Sequence, residues 1–134
     1  MIDHHAALIY AMVLASAADA DMTNAETSRI GDIVQHLPVF RDFDVEDMPR
    51  VLVECAAFLD DEDGLERAYD QIRAALPEKL RETAYVLSCD IVAADGKASQ
   101  EELRLLELMR FKLDIGRLPA AAIERAASVR YATV

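Results

Sequence analysis

Apolar residues along this chain recur at intervals of three and four, and no stretch alternates apolar and polar positions as a half-buried strand does. Ile30, Ile33, Val34 and Leu37 form one such stripe, and Leu103, Leu106, Met109 and Leu113 form another. The clearest is Leu65, Ala68, Tyr69, Ile72, Ala75 and Leu76, spaced as one face of an amphipathic helix. A shorter stripe, Leu52, Cys55, Ala56 and Leu59, is stopped by Asp60-Asp61-Glu62-Asp63-Gly64. Two stretches differ in kind. Residues 6–18 and 84–94 are apolar on nearly every face, and a helix of that sort must be covered on all sides.

Proline and glycine punctuate these patterns. After Pro38 the chain is acidic and irregular as far as Met48, and Pro49 disfavours helical geometry at Met48, which sets a helix boundary there. Pro77 opens the long apolar helix of the second half, Gly116 breaks the chain again, and Pro119 suits the first turn of a last helix through Ile123 and Ala127. The pattern predicts an all-α fold, a compact bundle of about seven helices with short connections in a single domain over residues 1–134. The two all-apolar helices are expected at its centre.

One signal occurs twice. Asp19-Ala20-Asp21-Met22-Thr23-Asn24-Ala25-Glu26 and Asp95-Gly96-Lys97-Ala98-Ser99-Gln100-Glu101-Glu102 stand 76 positions apart, Asp on Asp, Thr on Ser and Glu on Glu. Each follows one of the all-apolar stretches and precedes an amphipathic stripe, so the chain reads as two related halves, about residues 6–37 and 82–113. Thr23 and Ser99 are placed as N-caps, with Glu26 and Glu102 three residues on to reach back to the cap's own N–H. Asp19 and Asp95 fall in the preceding turns, where a short carboxylate can satisfy loose N–H groups.

Charge narrows the choice of partner. Lys plus Arg number 14 against 25 Asp plus Glu, a formal net charge of −11. Most of such a surface repels a phosphate backbone or an anionic membrane, so neither nucleic acid nor a membrane surface is expected as partner. Cations and basic protein patches are favoured, and solubility alone is the bland explanation. Cys55 and Cys89 both sit inside apolar helical runs and read as small core residues of a reducing compartment, neither a disulfide framework nor a metal knuckle. The apolar run from Leu8 to Ala20 has no Lys or Arg before it, is too short to span a bilayer and recurs in the second half. It therefore reads as a core helix, and the protein as cytoplasmic.

Carboxylates are the candidate chemistry. If the halves pack about a pseudo-two-fold axis, Asp19, Asp21, Glu26, Asp95 and Glu102 lie near one end of the central helix pair, an oxygen-rich setting suited to Ca²⁺ or Mg²⁺. The spacing is not that of an EF-hand, and the same residues have a complete alternative occupation as helix caps. Asp90 falls opposite Leu14 in the other half, a core position, and shares a face with Val86 and Ala94. A carboxylate there is expected to be mostly buried, and either serves as a further ligand or pairs with a base such as Lys97 or Arg104. His4 and His5 read as a solvated pair ahead of the first helix, and His36 as a cation at a helix C-terminus. Asp60 to Asp63 read as a solvated turn, with Asp63 a cap for the next helix. Ser16, Ser88 and Ser99 have no histidine in register, no phosphate loop is present, and no enzyme is expected.

The run Ala94-Asp95-Gly96-Lys97-Ala98-Ser99-Gln100-Glu101-Glu102-Leu103 is similar to the signature repeated in TerB-like (tellurite-resistance TerB) proteins, an Asp-Gly pair, then Ser or Thr, then Glu. Residues 76–85 and 122–127 resemble helices of the same family, so the resemblance extends over essentially the whole chain. The first copy departs from the signature, with Ala20 in place of Gly and an extra carboxylate, Asp21. The resemblance implies a compact helical bundle, a protein partner within a tellurite-resistance or stress-response assembly, divalent-metal binding at the acidic loops, and no catalytic residue. It leaves a homo-oligomer open. The competing reading is a metal-free structural adaptor that binds a protein partner through its acidic face.

Overall fold

The computed structural model describes residues 2–16, 23–94, 96 and 98–134. Among the described residues the chain forms seven α-helices and no strand: α1 (His4–Ser16), α2 (Asn24–His36), α3 (Met48–Phe58), α4 (Gly64–Ala75), α5 (Glu78–Ala93), α6 (Gln100–Lys112) and α7 (Arg117–Arg130). The acidic stretch after Pro38 holds two short 3₁₀ turns, Pro38–Phe40 and Val45–Asp47.

α1 is the hub. Every residue from His5 to Ser16 is buried, because α5, α4, α3, α6 and α2 surround it. Leu8, Ile9, Met12 and Leu14 are each at most 1% exposed, and burying side chains of this size stabilises by roughly 1.5–3 kcal/mol apiece. α5 lies against α1 and also packs on α7, α6 and α2. Ser88 sits at the α1–α5 crossing, its Oγ 2.9 Å from the Ala84 carbonyl and 3.2 Å from that of Ala11 on α1. A small side chain there lets the two backbones approach.

Local chemistry accounts for the helix ends. Pro77 and Gly116 stand at the N-caps of α5 and α7. α6 ends in a Schellman arrangement: Asp114 takes a left-handed φ of 57°, its N–H donates to the Phe111 carbonyl, and that of Ile115 donates to the Arg110 carbonyl. Gly64 is required at the α3–α4 junction, since a Cβ there would lie 1.4 Å from the Phe58 carbonyl oxygen. The Tyr69 hydroxyl donates to the Leu105 carbonyl at 3.1 Å, joining α4 to α6.

Four expectations change. The buried stripe of α3 is Met48, Val51 and Cys55, not Leu52, Cys55, Ala56 and Leu59: Leu59 is 40% exposed, because α3 meets α1 and α4 with a face rotated from the one read in the sequence. Leu103 of α6 is 48% exposed while Leu106, Met109 and Leu113 are buried. His4 and His5 form the first turn of α1, and His5 is not solvated. Its Nε2 lies 3.0 Å from both the Val39 carbonyl and Asp42 Oδ1, and its ring packs on Phe40 and Phe43. Asp63 stands at the N-cap of α4 but makes no side-chain capping bond; its carboxylate is 3.5 Å from Arg67 instead.

Candidate functional site: the capping turns and the charged flank of α5

α2 and α6 begin with the same construction. Thr23 and Ser99 have extended backbone (φ −75°, ψ 163° and φ −73°, ψ 164°), which frees each hydroxyl to face the first helical turn. Thr23 Oγ1 accepts from the Glu26 N–H at 3.1 Å, and Ser99 Oγ accepts from the Glu102 N–H at the same distance. In return Glu26 Oε1 accepts from the Thr23 N–H at 3.0 Å, and Glu102 Oε1 from the Ser99 N–H at 2.9 Å. Both capping boxes are complete, and the two helices they open occupy positions 24–36 and 100–112, again 76 apart. A carboxylate in the first turn is further favoured by the positive end of the helix dipole.

Each box commits one carboxylate oxygen. Among the described residues, no hydrogen bond engages Oε2 of Glu26 or of Glu102, and both side chains belong to half-buried residues. Those two oxygens are what the described parts of the turns offer to a cation. Asp19, Asp21 and Asp95, the other turn carboxylates, lie outside the described residues. Among the described residues no three His, Cys, Asp or Glu side chains come together as a metal-holding group.

Asp90 projects from α5 toward α7. Its side chain is 16% exposed, and it accepts a hydrogen bond and ion pair from Arg130 near the end of α7. Burial pushes the Asp90 carboxyl above the ordinary Asp range, and the guanidinium pulls it back. The burial and the ion pair are as expected, but the partner is Arg130, 40 residues on, and not Arg104. With Arg130 bonded to it, Asp90 works as a brace between α5 and α7.

Two further polar contacts have no sign in the sequence. The Tyr85 hydroxyl of α5 donates to Glu124 Oε2 of α7 at 2.6 Å, and His5 is held by the loop after α2. Both join residues more than thirty positions apart, and no local pattern announces such a pairing. The cysteines are buried and free, and burial pushes both thiols up to about 12, which leaves them protonated core residues. His36 Nδ1 donates to the Asp32 carbonyl at 2.7 Å in the last turn of α2, a structural use. The carboxylates at 60–63 are exposed, with Asp61 and Asp63 beside Arg67.

Among the described residues no helix is long and apolar enough to cross a membrane. No curated protein and no solved structure matches the chain. The model of one family, described as tellurite resistance protein TerB, matches residues 5–125, from the first turn of α1 into α7 and across both capping boxes. By that match, which takes in most of its length, the chain belongs to the TerB family.

Proposed function

We propose that this chain is a cytoplasmic, non-enzymatic TerB-family module that takes up Ca²⁺ or Mg²⁺ at its two acidic turns and acts through a protein partner in a tellurite-resistance or stress-response assembly. The observation that carries the reading is the pair of matched capping boxes. Each fixes a glutamate by one oxygen and, among the described residues, leaves the other without a hydrogen bond, directly after a stretch of sequence that brings one or two more carboxylates. Hard divalent cations prefer such all-oxygen surroundings. Glu26 and Glu102 would hold the ion from the helix side, and Asp19, Asp21 and Asp95 from the turns. Asp90, committed to Arg130, serves the fold.

One observation favours a second reading, the metal-free adaptor. The capping role alone accounts for Thr23, Glu26, Ser99 and Glu102, and an acid excess of eleven charges suffices to attract a basic protein surface. Elemental analysis of protein purified without chelator, followed by calorimetric titration with Ca²⁺ and Mg²⁺, separates the two. The proposal expects saturable heat with at least one ion. A flat titration in metal-free protein leaves the adaptor.

A further inference from the structure

A cleft of about 710 Å³ opens between α5, α6 and α7, away from the Asp90–Arg130 brace. Small residues contribute part of its lining: Ala93, Gly96 and Ala98, and Ala127, Ser128 and Ala132. Val92 and Leu106 form apolar wall, and Leu103 adds an apolar surface that is 48% exposed. The volume falls within the roughly 300–1,000 Å³ of small-molecule sites.

Polar side chains make up about half of its lining, and one pair among them is fixed by a hydrogen bond. Tyr85, 2% exposed, donates its hydroxyl to Glu124 Oε2 and so fixes that carboxylate at the cleft. Among the described residues no hydrogen bond engages Glu124 Oε1, which stays available as an acceptor. Glu107 adds a second carboxylate. Among the described lining residues one guanidinium, Arg110, is present, and it also borders a separate cleft beside Arg73 and Asp114. Two carboxylates stand against it among those residues, in a chain carrying −11, so the field inside the cleft favours a positive ligand.

We propose that this cleft binds a small organic cation, with an apolar body against Leu103, Leu106 and Val92 and a primary ammonium donating to Glu124. This site is separate from the acidic turns. Its test is run with a chelator present, so that the fate of the divalent-cation reading does not affect it.

The test is an amide-resolved NMR titration with three probes of similar size: 2-phenylethylamine, 2-phenylethanol and 3-phenylpropionate. The amine should give saturating shifts at Val92, Leu103, Leu106 and Ala127, binding about fivefold more tightly than the alcohol, as one solvent-accessible ion pair allows. The carboxylate should bind weakest. Glu124→Gln should remove the preference for the amine while leaving alcohol binding intact. Ser128→Leu, a change at an exposed residue lining the cleft, should block all three probes with the dispersed spectrum retained. The proposal is overturned if no probe gives a saturable shift, if the carboxylate binds as well as the amine, if Glu124→Gln keeps the preference, or if Ser128→Leu changes nothing.

Discussion

α1 and α5 are the two apolar helices at the centre of the bundle, and each comes before a helix that opens with a capping box, yet their surroundings differ. α1 is covered on every face, from His5 to Ser16. α5 is covered along Ala84, Tyr85, Leu87, Ser88, Cys89, Ile91 and Val92, but its remaining flanks border two clefts. The divergence is sharpest at one pair of positions: Leu14 is 1% exposed in the core, and Asp90, 76 residues later, faces α7 and pairs with Arg130. A hub helix with neighbours all round carries a polar group only where a partner meets it, as Val39 and Asp42 meet His5. A helix with an open flank can carry a carboxylate, a tyrosine hydroxyl and a cleft. The chemistry of this molecule therefore collects around α5 and the turns, while α1 supplies cohesion.

The most forceful way to break that contrast is to exchange the two residues' characters. Leu14→Asp should abolish folding, since an unpaired carboxylate in a fully enclosed site has neither water nor base to meet it. Asp90→Leu should fold, with a stability change of either sign, because replacing a buried charge with a packed apolar group is often neutral. Circular dichroism and thermal melting of both variants give the answer. Equal tolerance at both positions would remove the distinction between hub and flank.

A smaller effect is expected at the caps, where the two boxes should behave alike. Thr23→Ala and Ser99→Ala each remove a hydroxyl that accepts from the first turn, and each should cost about 1 kcal/mol in denaturant unfolding. A clear difference between them would mean that one turn is held by something besides its box.

The smallest effect is in the pH dependence. Asp90 binds its proton more tightly folded than unfolded, because burial outweighs Arg130. Its contribution therefore makes stability fall as pH rises from the unfolded Asp value through the raised folded one. Subtracting the melting profile of Asp90→Asn from that of the parent should reveal this decline across the weakly acidic range. Arg130→Met removes the cause that lowers the pKa, so the decline should reach to higher pH.

The sequence made the helices and both capping boxes legible because their causes are local: a cap and its glutamate are three residues apart, and an apolar stripe repeats every turn. The Asp90 pairing was half legible. Apolar neighbours marked the carboxylate as buried, but Arg130 lies 40 residues downstream and only the docking of α7 brings it near. His5 was misread for the same reason: Val39 and Asp42 reach it from the loop after α2. The exposure of Leu103 and the cleft it lines were invisible, because a void bordered by three separate segments is encoded by no periodicity.

Melting with and without metal asks directly whether the paired acidic stretches hold a divalent cation, as we propose. A ligand that binds only the folded state stabilises it by about 2.7 kcal/mol at one hundred times its dissociation constant. For a domain of this size that corresponds to several degrees, at roughly 4 °C per kcal/mol. Millimolar Ca²⁺ or Mg²⁺ should raise the parent's melting temperature, a chelator should reverse the rise, and Asp19→Asn combined with Asp95→Asn should abolish it while keeping the helical spectrum. A parent that melts identically in metal and in chelator would contradict the claim, and the two turns would then be helix caps alone.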